Sequence, residues 1–136
     1  MLPIEKMILI YIYGLFDPGN PEVILYPGAT ANPKTRLVQH LSTFEIPRKP
    51  WLIELIRRKT YPKMKILEVT NPEDAKTIED AYIAKYAPNQ QKSNYKSRYI
   101  KQSSIIYHPG DIISLDLKTQ IRIQNRIDSR IPKLFY

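Results

Sequence analysis

Residues 7–16 read MILIYIYGLF, an apolar run that is rich in β-branched and aromatic side chains. The next five residues, DPGNP, combine the proline, glycine and asparagine that are typical of a turn. A second short strand is predicted from Glu22 to Tyr26, so that the two strands form a hairpin with a loop of about five residues. Pro27 lacks a backbone donor, which places this second strand at the edge of the sheet or ends it there.

Three helices are predicted after the hairpin, and each begins at a proline. Asn32-Pro33 and Asn71-Pro72 are typical of an N-cap followed by proline at the first helical position. A third strand, residues 65–69 (KILEV), is predicted before the last of these helices. The helices are predicted to run from Pro33 to about Phe44, from Pro50 onward, and from Pro72 through Tyr86.

The predicted order β-β-α-α-β-α indicates an α+β fold, with a small, mainly antiparallel three-stranded sheet flanked by helices. Composition changes near residue 90, so we predict one domain over residues 1–90. A basic C-terminal extension over residues 91–136 is predicted to be packed on that domain or contiguous with it.

Within the extension, residues 108–111 (HPGD) predict a turn, and residues 114–131 predict a terminal helix. Partial alternation of its apolar residues leaves a pair of strands as the alternative. As a helix, the segment carries four basic residues at i, i+4 spacing, whose mutual repulsion an anionic partner would relieve. The alternative is a solvated face on a helix that packs against the domain. The row consists of Lys118, Arg122, Arg126 and Arg130.

The chain of 136 residues has a net charge of +8 and a pI near 9.6. Such an excess of positive charge favours a polyanionic partner, because phosphate neutralisation releases condensed counterions. Charge alone leaves two alternatives, namely an anionic membrane surface and a protein that is simply basic.

Several classes of protein are disfavoured by composition. The chain has no cysteine, which excludes disulfides and thiolate metal sites, and its two histidines argue against structural zinc. The apolar run at residues 7–16 is too short to span a bilayer and lacks the features of a secretion signal. We therefore predict no membrane partner and a cytoplasmic location, which is the host cytoplasm if the protein is viral.

An ordered set of short features carries the chemistry. Tyr11-Ile12-Tyr13 lies on the first predicted strand and Tyr26-Pro27-Gly28 ends the second. The first helix then carries two residues four positions apart, which places them on one face. The later members belong to the third helix and the residues that follow it. These remaining features are Arg36, His40, Glu79, the pair Tyr82-Ile83, and Asn89.

This set resembles the GIY-YIG nuclease family over roughly residues 7–90. Tyr11 stands where the family has its first glycine, and Pro27 replaces the central isoleucine or valine of the second motif. In the family both positions support the fold, so the two replacements affect the geometry of the strands more than the residues that react. The resemblance implies a metal-dependent endonuclease whose catalytic domain lies within residues 1–90.

Each position also suits the cleavage of a phosphodiester. Arg36 can direct two donors onto phosphate oxygens, and the Glu79 carboxylate can hold one Mg²⁺ or Mn²⁺. The resemblance assigns the general base to Tyr13, whereas His40 would accept or relay the proton and Tyr26 would orient the water or the phosphate. Contacts to the DNA are assigned to Gly28 and Asn89.

Residues 94–101 interleave tyrosine with basic side chains. Such a segment can track a DNA backbone and stack on bases, and a disordered or packing tail is the alternative. The DNA contacts predicted there are Lys96, Arg98 and Lys101.

The sequence thus predicts an endonuclease that hydrolyses DNA with Mg²⁺ or Mn²⁺, acting alone, as a homodimer, or with a specificity partner. The first alternative is a non-catalytic protein that binds nucleic acid or another partner on the same scaffold. The second is an enzyme that cleaves RNA, since only the resemblance distinguishes DNA from RNA. The joint presence of Tyr13, Arg36, His40 and Glu79 argues against a non-catalytic protein.

Overall fold

The structure, a computed structural model, describes residues 8–90 and 102–135. It is an α+β fold built on one antiparallel four-stranded sheet. The strands are β1 (Ile10–Phe16), β2 (Tyr26–Thr30), β3 (Lys63–Thr70) and β4 (Ile112–Ile113). The helices are α1 (Pro33–His40), α2 (Pro50–Arg57), α3 (Pro72–Tyr86) and α4 (Leu117–Arg130), and Ile46–Arg48 and Pro132–Phe135 form single 3₁₀ turns.

The α+β class and the antiparallel sheet are as predicted, but the prediction of three strands is wrong. The sheet has the order β2-β1-β3-β4, and its fourth strand comes from the C-terminal part of the chain. Asp111 closes the predicted turn by donating its amide to the His108 carbonyl at 3.0 Å. Gly110, at φ 95°, then donates to the Ile66 carbonyl at 2.7 Å, which brings Ile112 and Ile113 alongside β3.

The second strand lies later in the chain than predicted. Residues 22–25 continue the loop, because Val23 donates to the Asn20 carbonyl in a second turn after the predicted one. The strand therefore runs over Tyr26–Thr30, and Tyr13 pairs with Gly28. Pro27 lies inside this strand, and β2 is an edge of the sheet as the missing donor predicted.

The helices begin where the prolines predicted, although the bounds differ at two points. Helix α1 ends at His40 instead of about Phe44, because the amide of Leu41 turns back to the Val38 carbonyl. Helix α4 begins at Leu117 instead of residue 114, because the Asp116 side chain caps it by accepting from the Thr119 amide. A helix, and not the alternative pair of strands, forms here.

The core lies on both faces of β1. On one face Tyr11, Tyr13 and Leu15 pack in a single buried cluster with residues of α1, α2 and α4. On the other face Ile10 packs against Ala75 of α3 and Ala31. Helix α4 contributes Ile123 and Ile127 to the larger cluster. No helix in the described ranges has the length and apolar character needed to cross a bilayer.

Candidate functional site

Tyr13 and His40 form the centre of the site. Tyr13 lies in the middle of β1, and His40 is the last residue of α1. The Tyr13 hydroxyl and His40 Nε2 are 2.7 Å apart, and both side chains are buried. The register of β1 against β3 shifts between Ile12 and Tyr13, so a bulge lies beside the residue that carries this hydroxyl.

Gly28 makes room for the Tyr13 phenol. The two residues are paired across β1 and β2, and a β-carbon on Gly28 would overlap the hydroxyl and ring of Tyr13. Gly28 is itself buried. The structure therefore places this predicted DNA contact beneath the phenol, where its lack of a side chain sets the position of Tyr13.

Tyr26 also contacts His40. Its ring centre is 5.0 Å from that of His40, in an edge-on arrangement, and 6.3 Å from that of Trp51. Tyr26 is half-buried at the start of β2, so its ring borders the surface while Tyr13 lies beneath. The imidazole thus contacts two phenols from neighbouring strands.

Two opposite charges act on both phenols. Arg36, one helical turn before His40, lowers the pKa of Tyr13 and of Tyr26, so its guanidinium lies near both hydroxyls. Glu79, a buried residue of α3, raises the pKa of both. Tyr13, Tyr26, Arg36 and His40 of the predicted reactive set therefore come together, and Glu79 lies within electrostatic reach of the two phenols.

Burial governs the protonation of the pair at the centre. It raises the pKa of Tyr13 well above its usual value near 10, and the opposing effect of Arg36 is smaller. It also lowers the pKa of His40 from 6.5 to about 2, with further contributions from the positive charges of Arg36 and Lys49. At neutral pH the resting site therefore holds a neutral phenol and a neutral imidazole.

The second ring nitrogen of His40 distinguishes its two tautomers. Nδ1 is buried and has no hydrogen-bond partner among the described residues. A buried N–H without a partner costs about 1–3 kcal/mol, and orphaned donors are rarer in proteins than under-satisfied acceptors. With the proton on Nδ1, that N–H is the unpartnered donor and the Tyr13 hydroxyl donates to Nε2, whereas with the proton on Nε2, His40 donates to the Tyr13 oxygen and the Tyr13 O–H requires another acceptor.

The sequence did not identify the ion pair of Glu45 and Lys49. Lys49 is only 8% exposed, and its Nζ lies 2.8 Å from the Glu45 carboxylate and 5.4 Å from the Tyr26 ring centre. Buried lysines are rare unless they are paired. The four-residue spacing of the pair is visible in the sequence, but nothing in the sequence indicates that Lys49 is buried beside Tyr26.

The remaining predicted DNA contacts that the structure describes lie outside this cluster. Asn89 is exposed after α3, and the neighbouring Gln90 instead donates its Nε2 to the Pro27 carbonyl at 3.0 Å. The other described contacts are exposed along α4. Those on α4 are Lys118, Arg122, Arg126 and Arg130, whereas Lys96, Arg98 and Lys101 lie outside the described residues.

The two departures from the family pattern have structural explanations. Tyr11, which replaces a glycine, is fully buried, and its hydroxyl accepts a hydrogen bond from the Tyr107 amide at 3.2 Å. The rings of Tyr11 and Tyr107 meet edge to face with centres 5.4 Å apart. Tyr11 thus anchors the segment that leads to β4, while Pro27 lies on an edge strand that tolerates it.

The residues present fit one kind of metal site. Within residues 8–90 and 102–135, no group of three or more His, Asp or Glu side chains is placed to enclose an ion. Glu79 offers one buried carboxylate within electrostatic reach of the two phenols. Mg²⁺ is commonly held by one or two carboxylates together with water and substrate phosphates. The donor set therefore suits an ion shared with a phosphate substrate, and does not suit a cage made by the protein alone.

Comparisons of the chain with protein-family models, with curated proteins and with solved structures find no match. Function is therefore inferred from the arrangement of the side chains and from the motif resemblance. The arrangement joins a buried phenol–imidazole pair, a guanidinium and a carboxylate at the sheet edge formed by β2.

Proposed function

We propose that this chain is a divalent-metal-dependent endonuclease that hydrolyses phosphodiester bonds of DNA. The observation that carries the proposal is the buried hydrogen bond of 2.7 Å between Tyr13 and His40, with the charges of Arg36 and Glu79 acting on the same hydroxyl. These residues lie far apart in the chain and follow the order of the GIY-YIG motifs. A purely structural core has no need to place a phenol, an imidazole, a guanidinium and a carboxylate together.

Hydrolysis of a phosphodiester requires a base for the attacking water and positive charge near the phosphate. Arg36 supplies the positive charge, since a guanidinium can direct two parallel donors to phosphate oxygens. It is only half-buried, so one side of it remains available to a ligand. Tyr26, whose ring borders the surface, is placed to orient the phosphate or the water.

Tyr13 is the proposed base, and its raised pKa defines how it acts. The step requires water to reach the buried Tyr13 hydroxyl. The phenol first loses its proton to that water, and the phenolate oxygen is held by the His40 N–H and by the charge of Arg36. The phenolate then takes one proton from the attacking water, whose oxygen bonds to phosphorus as the bond to the leaving oxygen breaks. The phenol is thereby restored, and water supplies the proton that the leaving oxygen takes up.

His40 is proposed to act as a neutral donor to this oxygen. Its pKa of about 2 makes the imidazolium a poor place to store a proton at neutral pH. Once the phenolate has formed, donation from Nε2 suits its oxygen better than either role expected from the sequence, acceptor or relay. Lys49 supports this role because its positive charge also opposes protonation of the ring.

Glu79 is the residue proposed to hold the metal ion. When bound, the ion would supply Lewis-acid stabilisation of the phosphate charge. The negative charge of Glu79 makes a small contribution to the raised pKa of Tyr13, after the larger effect of burial. A divalent cation bound at Glu79 would offset that charge and favour the phenolate.

The test is cleavage by the parent chain and by Glu79→Gln, with Glu73→Gln as the matched control. Glu73 lies on the same helix but is exposed in its first turn. Supercoiled, single-stranded and branched DNA, and RNA of the same sequence, are incubated with Mg²⁺, with Mn²⁺ and with EDTA. We expect metal-dependent DNA cleavage by the parent and by Glu73→Gln, and binding without cleavage by Glu79→Gln.

Other outcomes assign other functions. Full activity of Glu79→Gln in Mg²⁺ would remove Glu79 from the mechanism. Cleavage of RNA but not of DNA would change the substrate class. Tight DNA binding by a parent chain that cleaves nothing would make the protein a non-catalytic binder on this scaffold.

A further inference from the structure

Phe44 is an exposed aromatic residue beside the candidate site. Its side chain is 65% exposed, and the Arg48 guanidinium carbon lies 3.9 Å from its ring centre. A single exposed apolar side chain is ordinary on a protein surface. The surroundings of Phe44, and not its exposure alone, point to a function.

The loop that carries Phe44 is held rigidly. The Glu45 amide donates to the Ser42 carbonyl and side chain, each at 3.1 Å, and the Ile46 amide donates to the same carbonyl at 3.0 Å. The amides of Arg48 and Lys49 continue with 3₁₀-type bonds, and Ile46 is fully buried in the core. Phe44 is therefore exposed on an ordered turn.

The same loop is tied to the candidate site. Lys49 pairs with Glu45 at 2.8 Å and lies over the Tyr26 ring. The hydrogen bond from Lys49 lowers the pKa of the Glu45 carboxyl, and the positive charges of Arg36 and Arg48 lower it further, so the loop and the site share one electrostatic environment. The turn thus holds Phe44 and Arg48 at a fixed offset from Tyr26 and Arg36.

We propose that Phe44 and Arg48 bind the substrate strand next to the cleaved phosphate, with an unpaired base stacked on the Phe44 ring. The guanidinium stacks on the ring, and the exposed part of the Phe44 side chain is the surface offered to a base. Arg48 is exposed and can also donate to a neighbouring phosphate. A strand of nucleic acid is the occupant that fits, because the stack joins an aromatic face to positive charge on a chain of net charge +8.

This inference rests on the proposed function only in taking the ligand to be a nucleic acid. Stacking is tolerant of sequence, since every base has a flat face. It also requires a base that is free of its partner, so the stack favours single-stranded or distorted DNA over an intact duplex. Phe44 would thereby give the protein a preference for unpaired DNA, which the residues that react with the phosphate do not provide.

The experiment measures binding in EDTA, so that no cleavage is needed. Fluorescein-labelled single-stranded DNA and the duplex of the same sequence are titrated with the parent and three variants. Phe44→Ala removes the ring, Phe44→Trp keeps an aromatic face, and Ile112→Ala is the control. Ile112 is 50% exposed on β4, at the opposite edge of the sheet from β2.

We expect Phe44→Ala to weaken single-strand binding by about 5- to 150-fold, the range found when one stacking residue is removed. Duplex binding should change much less, Phe44→Trp should restore most of the affinity, and Ile112→Ala should match the parent. The melting temperature should not fall, because the side chain is exposed. A fall in melting temperature together with affinity would make Phe44 a structural residue.

If Phe44→Ala binds single-stranded DNA as tightly as the parent does, the inference is overturned. Phe44 and Arg48 would then be a candidate contact for a protein partner. That result is distinguishable from failure of the proposed function, which is absence of cleavage in metal by a parent that binds DNA. A parent that binds neither oligonucleotide at low salt would overturn both.

Discussion

The phenol of Tyr13 occupies the space in which a β-carbon of Gly28 would stand. A side chain at Gly28 requires the phenol or the edge strand β2 to shift, and either shift disturbs the hydrogen bond to His40. The effect of a substitution at Gly28 on the cleavage rate therefore tests whether the hydrogen bond between Tyr13 and His40 matters for activity.

We expect Gly28→Ala to fold with a decrease of about 1–3 kcal/mol in stability and to cleave roughly 100-fold more slowly. The control is Gly14→Ala, whose added methyl group would meet the side chain of Ile24 and not the phenol. Rates are measured below the melting temperature of both variants. Near-parental cleavage by Gly28→Ala would show that the position of the Tyr13 hydroxyl is not critical.

The two tyrosines of the motifs are expected to differ. Tyr13→Phe removes the proposed base and should cost roughly 10²–10⁴-fold in rate, whereas Tyr26→Phe removes only an orienting hydroxyl and should cost far less. DNA affinity in EDTA should be similar in both variants. Single-turnover cleavage compares them, and an equal effect of the two substitutions would contradict the assignment of the base to Tyr13.

The dependence of the cleavage rate on pH follows from the raised pKa of Tyr13. The active phenolate is a minor species below that pKa, so the logarithm of the rate should rise with a slope near one between about pH 6 and 9. His40, with a pKa of about 2, should add no break near its ordinary value of 6.5. A plateau beginning near neutral pH would instead assign the titrating group to His40.

His40 should also make the fold sensitive to mild acid. Its folded pKa of about 2 lies below its ordinary value of 6.5, so the unfolded chain binds the proton first as pH falls. Stability should therefore be complete above pH 6.5 and decline below it by at most about 1.4 kcal/mol per pH unit. Urea unfolding between about pH 5 and 7 measures this slope, because carboxyl groups titrate mainly below that window.

The controls for this slope are the two histidine variants. His40→Gln should be less stable at neutral pH but should lose most of the decline, while His108→Gln, at an exposed position, should keep it. An unchanged slope in His40→Gln would show that the buried imidazole is not the group that takes up the proton.

Local patterns in the sequence predicted the elements that have a local signal. The apolar run around Tyr13 became β1, and proline after asparagine marked the starts of α1 and α3. The four-residue spacing of Arg36 and His40 put both on one face of α1. These features depend on residues close together in the chain, and the structure follows them.

Features set by distant contacts were missed. Strand β4 has only two residues, and its pairing depends on Gly110 reaching the Ile66 carbonyl. The start of β2 depends on how the loop packs, with Ile24 filling the space above Gly14. The burial of Lys49 depends on the position of Tyr26 on another element. None of these contacts leaves a periodic pattern in the sequence.

The basic row of α4 gives the final prediction. The row is exposed, while the same helix buries Ile123 and Ile127 in the core, so the helix can support the fold and still bind phosphates. Replacing the row with glutamine should weaken duplex binding and lower the slope of log affinity against log salt by about 0.9 for each phosphate that the variant no longer neutralises. The cleavage rate at saturating DNA should change little. The four replaced residues are Lys118, Arg122, Arg126 and Arg130.

A matched variant removes four other exposed charges and lowers the net charge equally. If the row lies along a DNA backbone, only the α4 variant changes the salt slope strongly, because direct binding of phosphates and not net charge releases the counterions. If the row is only a solvated face, both variants behave alike, and the α4 variant gains stability as i, i+4 repulsion is relieved. Equal slopes would leave α4 as scaffold. The control residues are Lys59, Lys65, Lys85 and Lys133, all exposed.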